Sequence, residues 1–168
     1  MRPVAVRELL SIQVRVRPVV DLGGGRRYVP FDGGTFDGRD GLRGTILEGG
    51  VDWQTVRPDG TLEIDAHYTL STDADELIEV RSTGLRKAPA DVAERLARGD
   101  AVDPDEYYFR THVRFTTASQ RLTWLNDLLA ISTGRRDRSL VTIDVHEVRR
   151  RARGPDLVPW WSGPASGA

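Results

Sequence analysis

The chain has 168 residues, of which 39% are hydrophobic and 29% charged, and its formal net charge is −1. This length and balance predict one soluble globular domain with a sizeable core, and the lack of a basic excess argues against a nucleic acid as a partner. There is no cysteine, which excludes disulfides, thiolate nucleophiles and cysteine–metal sites. No apolar run approaches the roughly 18–20 residues that span a bilayer, and the N-terminus lacks the unbroken apolar run of a signal peptide. We therefore expect a cytoplasmic protein with no membrane partner.

The first part of the chain predicts strands separated by glycine-rich turns. Leu10, Ile12 and Val14 alternate with polar residues, which is the pattern of a strand with one buried face. A short strand is predicted over 27–31. Glycines are then dense over 33–50, which argues against a helix and is typical of turns, bulges and close backbone contacts at the corners of a barrel. The Gly-Lys-Ser/Thr ending of a phosphate-binding loop is absent from this segment.

A hairpin follows, and it is the stretch around which the chain is organised. Its turn at 58–60 reads Pro-Asp-Gly, in which proline presets φ and glycine accepts a positive φ. A three-residue loop would put Trp53 and Asp65 on the same face. A four-residue loop would put Asp52 opposite Asp65 and turn Trp53 to the other face, where it pairs with Ile64. We favour the four-residue loop because it separates an apolar face from a polar one.

The rest of the chain predicts more strands and a single helix. A return strand is predicted over 77–83, and residues 89–99 have the pattern of a helix with Gly99 as its C-cap residue. The segments that follow are predicted as a strand over 106–117, a turn or one helical turn over 118–123, an extended run or short helix over 124–133, a charged turn over 134–138 and a strand over 139–148.

These elements predict a mainly β protein of about eight or nine strands with one inserted helix and no βαβ alternation, hence an antiparallel barrel or sandwich. A barrel of about eight strands is just wide enough inside for one small ligand. We assign residues 1–150 to a β-barrel ligand-binding domain, and residues 151–168, which become basic and then rich in proline and glycine, to a loosely ordered tail. Trp160 and Trp161 of this tail are expected to cover apolar surface, of this subunit or of a partner.

Four runs between about Gln13 and Val148 carry a resemblance to a known family. They read GGTFDGRDGLRGTILEGGVDWQTVRPDGTLEIDAHYTL, EYYFRTHVRF, RLTWLN and VTIDVHEV. Gly-Gly-x-Asp-Trp followed by Arg-x-Asp-Gly is distinctive in combination, and in these runs the chain resembles the uncharacterised bacterial family named domain of unknown function 3237. The resemblance implies a calycin-like or lipocalin-like β-barrel with an internal pocket, and it implies little about chemistry. In many relatives an arginine stands where this chain has His67.

Asp52, Asp65 and His67 form the candidate catalytic group. Two carboxylates beside a histidine can perform general acid–base chemistry, because burial and mutual repulsion separate their pKa values and histidine titrates near neutrality. The structural alternative is that both carboxylates accept hydrogen bonds that fix the hairpin, since ion pairs perturb pKa values without catalysing anything. The sequence leaves these alternatives open.

Aromatic and basic side chains supply the candidate substrate-binding residues. A buried tyrosine or tryptophan needs a partner for its polar atom, so contact with a ligand and a place in the core remain alternatives for each. An arginine can anchor an anionic or carbonyl oxygen. The candidates are Trp53, Arg57, Tyr68, Tyr108, Arg110 and Trp124.

Metal and covalent chemistry have no motif in the chain. The three histidines, His67, His112 and His146, have neither HxH nor HExxH spacing, so we expect no metal and no other cofactor. A G-x-S-x-G elbow is absent, which argues against covalent hydrolysis.

Three functional hypotheses remain. In the first, the protein is a cofactor-independent isomerase, cyclase or lyase acting on a small aromatic or carbonyl-bearing metabolite, with Asp52 or Asp65 as base, His67 or Tyr68 as proton donor, and an arginine orienting an oxygen. In the second, it is a non-catalytic binding or carrier module. In the third, side chains fill the barrel and a homodimer serves as an interaction module through its exposed edges.

Overall fold

Tight turns join antiparallel strands throughout the computed structural model, which describes residues 4–150 without the side chain of the last of them. Within that range the strands are β1 Val4–Val16, β2 Val20–Gly23, β3 Arg26–Gly38, β4 Arg43–Ile46, β5 Val51–Val56, β6 Leu62–Thr72, β7 Leu77–Lys87, β8 Tyr108–Thr116, β9 Ala130–Asp137 and β10 Leu140–Arg150. The α-helix is α1 Ala90–Arg98, and the 3₁₀ helices are Arg39–Gly41, Pro104–Glu106 and Gln120–Asp127. The tail with Trp160 and Trp161 lies outside the described residues.

The strands close into a barrel. Neighbours pair antiparallel in the order β1, β10, β9, β8, β7 and β6. Strands β4 and β5 follow each other between β6 and β3, and each of them pairs with both of these strands. Strand β3 completes the ring by pairing with β1. Closure leaves the sheet without a free edge around this ring. The predicted single antiparallel barrel with one inserted helix is confirmed, with eight strands in the barrel and two additional ones among the described residues.

Alternate side chains of the barrel strands form the core. Fully shielded apolar residues come from strands all round the ring, and examples are Ile12, Leu70, Val80, Val113 and Val145. Each such side chain contributes about 1.5–3 kcal/mol relative to an exposed position. The period of two in the sequence therefore determines which residues enter the interior.

The two ends of the barrel are covered differently. One end is covered by the 3₁₀ helix Gln120–Asp127, whose Leu122 and Leu125 are buried. The other end receives α1, whose buried Val92 and Leu96 join the main core, and whose C-cap residue Gly99 adopts a left-handed conformation as predicted. The insert that carries α1 thus lies beside the end of the barrel at which β7 stops and β8 begins.

Two glycines of the glycine-rich segment allow strands to approach closely. A Cβ atom at Gly34 would lie 2.1 Å from the carbonyl oxygen of Gln13, and one at Gly44 would lie 2.0 Å from that of Ser71. No side chain fits at such distances, so these residues act at barrel corners as the sequence predicts.

The favoured register of the central hairpin is wrong. Trp53 pairs with Asp65 and Asp52 with Ala66, and the backbone N–H of Arg57 donates to the carbonyl of Thr61 at 2.8 Å across a three-residue loop. The preference for the four-residue loop assumed that the inner face is purely apolar. That assumption fails because β5 turns a carboxylate into the interior.

Two segments of the C-terminal half also differ from the prediction. The first part of 124–133 belongs to the 3₁₀ helix, which accords with the short-helix alternative and not with an extended run. The predicted charged turn over 134–138 is mostly strand, because β9 continues to Asp137 and pairs with β10 up to that residue. The turn is confined to two residues, and Arg136 consequently becomes part of the barrel wall.

Candidate functional site

The interior holds a cavity near the end that α1 covers. The centres of water-sized molecules can occupy about 50 Å³ of it, and it is partly open to solvent. The walls are largely apolar, and the residues that form them include Val14, Val16, Val29, Phe31, Ile64 and Ile143. A few polar groups interrupt this surface, which is the composition typical of sites for small organic ligands.

Asp52 is the carboxylate inside this cavity. Its Oδ2 accepts a 2.5 Å hydrogen bond from Nε2 of Gln54, two residues further along β5. Its Oδ1 is shielded from solvent and has no hydrogen-bond partner among the described residues. Removal from water raises the pKa of Asp52 to about 6, although the hydrogen bond from Gln54, the charges of Arg86 and Arg27 and the nearby backbone N–H of Asp65 act in the opposite direction. A carboxyl group with this pKa can both accept and donate a proton near neutral pH.

Tyr68 is the second ionisable group of the cavity wall. It lies on β6, is buried, and has its ring 5.4 Å from that of Phe31. Burial, and to a smaller extent the charge of Asp52, raises the pKa of the phenol above its ordinary value. The hydroxyl therefore stays protonated at neutral pH and is available as a donor inside the cavity.

Three arginines act on this carboxylate through space. Arg86 on β7 and Arg136 on β9 line the cavity, and Arg27 on β3 donates from Nε to Gln54 Oε1 at 2.8 Å. Burial, together with repulsion from the other two guanidinium groups, lowers the pKa of Arg86 to about 10. Burial likewise lowers the pKa of Arg27 and that of Arg136. All three remain protonated at neutral pH, so three positive groups share this region with one carboxyl group.

A row of hydroxyl groups crosses the opposite wall. The hydroxyl of Thr111 is 2.6 Å from that of Ser82 and 2.6 Å from that of Ser132, and all three residues are buried. They lie on β7, β8 and β9, which are neighbouring strands. The row satisfies polar groups that would otherwise be costly inside the barrel.

Two of the three candidate catalytic residues lie away from the cavity. Asp65 projects outward and forms an ion pair with Arg81 at 3.1 Å. His67 also projects outward, half-exposed, with Nε2 3.9 Å from an oxygen of Glu79. Both alternate with inward residues of β6, so the three-residue loop that brings Asp52 into the barrel keeps these two on its outer surface.

The outer face also carries Trp53 and Arg57. Trp53 is 43% exposed and its ring lies 5.0 Å from that of Tyr28 on the neighbouring strand. Arg57 donates from Nε to Glu63 at 2.7 Å beside the hairpin turn. Both residues therefore stabilise the outside of the hairpin.

The last three candidate binding residues are also remote from the cavity. Tyr108 and Arg110 lie on the outer face of β8, with the Arg110 guanidinium 5.4 Å from the ring of Tyr108, and both line a groove on the barrel surface. Trp124 lies on the 3₁₀ helix at the far end, with its ring 5.4 Å from the guanidinium of Arg39, which donates to Glu147 at 2.6 Å.

Of the nine candidates, the structure thus brings only Asp52 and Tyr68 into the cavity.

Sequence reasoning missed Arg86 and Arg136, although a signal for each exists. Arg86 continues the inward alternation of Ile78, Val80, Ser82 and Gly84 on β7, and the predicted strand was ended too early to include it. Arg136 continues the inward alternation of β9, where a turn was predicted instead. Extending the period of two would have identified both residues.

Neither a metal cluster nor a membrane-spanning helix is found in the described part of the chain. No group of three or more histidine, aspartate or glutamate side chains within residues 4–149 is arranged to hold a metal ion. In the same range, no helix is both long and apolar enough to cross a membrane.

Comparisons with known proteins agree on the family. The family model described as protein of unknown function, DUF3237, matches residues 5–148. A UPF0311 protein of Rhodopseudomonas palustris is 35% identical over 144 residues, which are 83% of this chain and 94% of that protein. Its crystal structure, of a conserved protein of unknown function, superposes with a TM-score of 0.85 at 35% identity and covers 89% of this chain and 100% of that one.

Two further solved structures share the fold. A β-barrel-like protein from Acinetobacter baumannii AYE has a TM-score of 0.76 at 35% identity, covering 89% of this chain and 98% of that one. An enzyme from Penicillium herquei has a TM-score of 0.65 at 21% identity, covering 89% of this chain and 97% of that one, a similarity that shows the fold alone. The match of the family model over nearly the whole barrel, together with the identity to the R. palustris relative, shows that the chain belongs to the DUF3237 family of unknown function.

Proposed function

We propose that the barrel binds a small organic molecule in its cavity and that Asp52 transfers a proton on this molecule without a cofactor. The observation that carries the proposal is the shielded Oδ1 of Asp52, which has no hydrogen-bond partner among the described residues. Buried polar atoms are almost always satisfied, so an unsatisfied one beside a cavity indicates a ligand group or a catalytic role.

The roles follow from the protonation states. Above its pKa of about 6, Asp52 is a base that can remove a proton from a carbon or oxygen of a carbonyl-bearing or aromatic metabolite. Tyr68, whose phenol keeps its proton, donates a hydrogen bond to the oxygen on which charge develops. In an isomerisation or a cyclisation Asp52 then returns the proton to another atom of the same molecule, and in an elimination it gives the proton to the group that leaves. No electron is transferred and no co-reactant is consumed, so the overall reaction is an isomerisation, a cyclisation or an elimination.

The apolar walls support this chemistry. They account for the raised pKa of Asp52, because the charged form loses its hydration inside the barrel. Phe31 and Tyr68, with ring centres 5.4 Å apart, offer a surface on which a flat ligand can pack. An aromatic or conjugated carbonyl compound suits such a site better than a sugar or a phosphate ester does.

A non-catalytic carrier is the second candidate function. Gln54 connects Arg27 to Asp52 through hydrogen bonds of 2.8 Å and 2.5 Å. Groups held in place in this way also suit recognition alone, in which Asp52 would only accept a hydrogen bond from the ligand.

Native mass spectrometry with deuterium exchange distinguishes these functions. The purified protein is incubated in D₂O with a metabolite extract of its source cell, and the captured molecule is identified by mass. For the enzyme, we expect deuterium in the captured molecule with the wild type but not with Asp52→Asn, while Asp37→Asn on the outer face behaves as wild type. Capture without exchange would indicate the carrier. An empty barrel would contradict ligand binding and favour the dimeric interaction module.

A further inference from the structure

The arginines at the cavity lack the partners that arginines on the outer surface have. Arg17 forms an ion pair with Asp32 at 2.6 Å, and Arg81 forms one with Asp65 at 3.1 Å. Within the described residues, no carboxylate oxygen lies within 4.0 Å, the limit for an ion pair, of a guanidinium nitrogen of Arg27, Arg86 or Arg136. These three arginines are partly buried and have no such ion pair, and an unpaired charge away from water is costly.

The charges inside the barrel do not balance. Asp52 is the carboxylate that acts through space on all three of these arginines, and Asp21, on the exposed strand β2, acts in addition on Arg27. With all four groups ionised, three positive charges face one negative charge. Burial is the main cause of the lowered pKa of Arg86, and repulsion from Arg136 and Arg27 lowers it further. An entering anion would relieve it, whereas an entering cation would increase it.

The positions of these groups define how a ligand would lie. Arg86 pairs with Leu62 at the beginning of β6, whereas Tyr68 lies six residues further along the same strand. The cationic groups are therefore near the end of the barrel at which β7 stops, and the aromatic wall is further inside. Asp52, which pairs with Ala66, lies between the two.

We propose that the molecule held in the cavity is a small carboxylate with an apolar, unsaturated body, and that its carboxylate lies between Arg86 and Arg136; this inference rests on the proposed ligand-binding function. The N–H groups of a planar guanidinium match the two oxygens of a carboxylate, so Arg86 and Arg136 can bind one carboxylate between them. The apolar body extends past the free oxygen of Asp52 towards Tyr68 and Phe31. The atom from which Asp52 removes a proton then belongs to the part of the molecule between its carboxylate and its apolar end.

A pair of probes that differ in charge but hardly in shape tests this inference. Benzoate and benzamide are each titrated into the wild-type protein at pH 7 and low salt, with calorimetry as the readout. We expect benzoate to bind at least about tenfold more tightly than benzamide. Phenylacetate with phenylacetamide, and 1-naphthoate with 1-naphthamide, repeat the comparison for bodies of other sizes. This comparison uses the wild type only, so it holds even where a variant fails to fold.

Arginine variants locate the effect. Arg86→Gln and Arg136→Gln should each weaken benzoate binding at least about tenfold and leave benzamide binding within about twofold. Arg114→Gln is the matched control, because that arginine is exposed on the outer face of β8, and it should change neither affinity. Circular dichroism verifies that each variant is folded.

The outcomes separate the two proposals. Equal binding of the acids and their amides, or equal loss of both with the arginine variants, would overturn the carboxylate inference and leave ligand binding intact. Displacement of benzoate by inorganic phosphate at equal concentration would also overturn it, because the arginines would then form a general anion site. If no acid or amide binds, both the inference and the proposed ligand-binding function fail.

Discussion

Gln54 donates a 2.5 Å hydrogen bond to Asp52 Oδ2 from two positions further along the same strand. Residues i and i+2 of a strand face the same side, so β5 itself brings the amide and the carboxylate together inside the barrel. The amide engages one carboxylate oxygen and leaves the other, Oδ1, beside the cavity. The reactivity that we propose for this protein depends on that second oxygen.

Replacing this carboxylate should change the pH dependence of stability. The pKa of Asp52 rises from 3.8 to about 6 on folding, so between these values the folded state binds more protons than the unfolded state does. The contribution of Asp52 to the free energy of unfolding therefore falls as the pH rises through this window, by up to about 3 kcal/mol at about 1.4 kcal/mol per pKa unit. Asp52→Asn removes this loss. Urea unfolding at both pH values gives the difference in the free energy of unfolding between the variant and the wild type. This difference should favour the variant more at pH 8 than at pH 4. The same difference at both pH values would contradict the raised pKa.

Binding of an anionic probe should weaken as the pH rises through about 6. The ionisable groups that face Asp52 are Arg27, Arg86 and Arg136, which stay charged, and Tyr68, which stays neutral. Over pH 5–8, Asp52 is then the group that changes charge, and it becomes negative as the pH increases. Calorimetric titration of benzoate should give a dissociation constant that increases over this range, and Asp52→Asn should remove the dependence. Affinity that is independent of pH in the wild type would place the probe away from Asp52.

A methyl group added at Gly134 should displace the ring of Phe109 and so reduce the space in the cavity. A Cβ atom there would lie 2.6 Å from ring carbons of Phe109, which forms part of the cavity wall. The ring must move, and overpacking of this kind costs about 1–3 kcal/mol. We expect Gly134→Ala to fold with a lowered melting temperature and to capture less ligand in native mass spectrometry. Full capture by Gly134→Ala would show that the ligand does not reach Phe109.

The hydroxyl row should act as a unit. Thr111→Val leaves the buried hydroxyls of Ser82 and Ser132 without the partner that each has at 2.6 Å. Each unsatisfied hydroxyl costs about 1–3 kcal/mol, so the single variant should be clearly destabilised in urea unfolding. The triple variant Ser82→Ala, Thr111→Val, Ser132→Ala removes all three polar groups and should recover most of the lost stability. Additive losses in the triple variant would argue against coupling along the row.

The outer-face residues of the hairpin should be dispensable for ligand capture. His67 and Asp65 project away from the cavity, and each has a charged neighbour on the outer face of β7. We expect His67→Ala and Asp65→Asn to capture the ligand, and to exchange deuterium into it, as the wild type does. A loss of exchange in His67→Ala with binding retained would return the catalytic role to the outer face.

Local pattern was sufficient for the strands and for much of the inner face. The alternation of Leu62, Ile64, Ala66, Tyr68 and Leu70 predicts which side chains of β6 point inward, and all five are buried. The same alternation could have extended β7 as far as Arg86. It could not select the loop length at 58–60, because both registers satisfy the local pattern and differ only in what faces the interior.

By itself the sequence determined most of the strands, the inserted helix, the antiparallel β class and, through its motif runs, the family and its barrel, because alternation, turn residues and motif runs are local properties of the chain. Only the tertiary structure decided which side chains meet in the cavity. Arg27, Asp52, Arg86 and Arg136 come from β3, β5, β7 and β9, which are brought together by closure of the ring and by the register of each strand pair. Strand pairing joins residues that are far apart in the chain, and no local pattern carries that information. The charge imbalance inside the barrel, from which we infer an anionic ligand, is therefore a property of the closed fold.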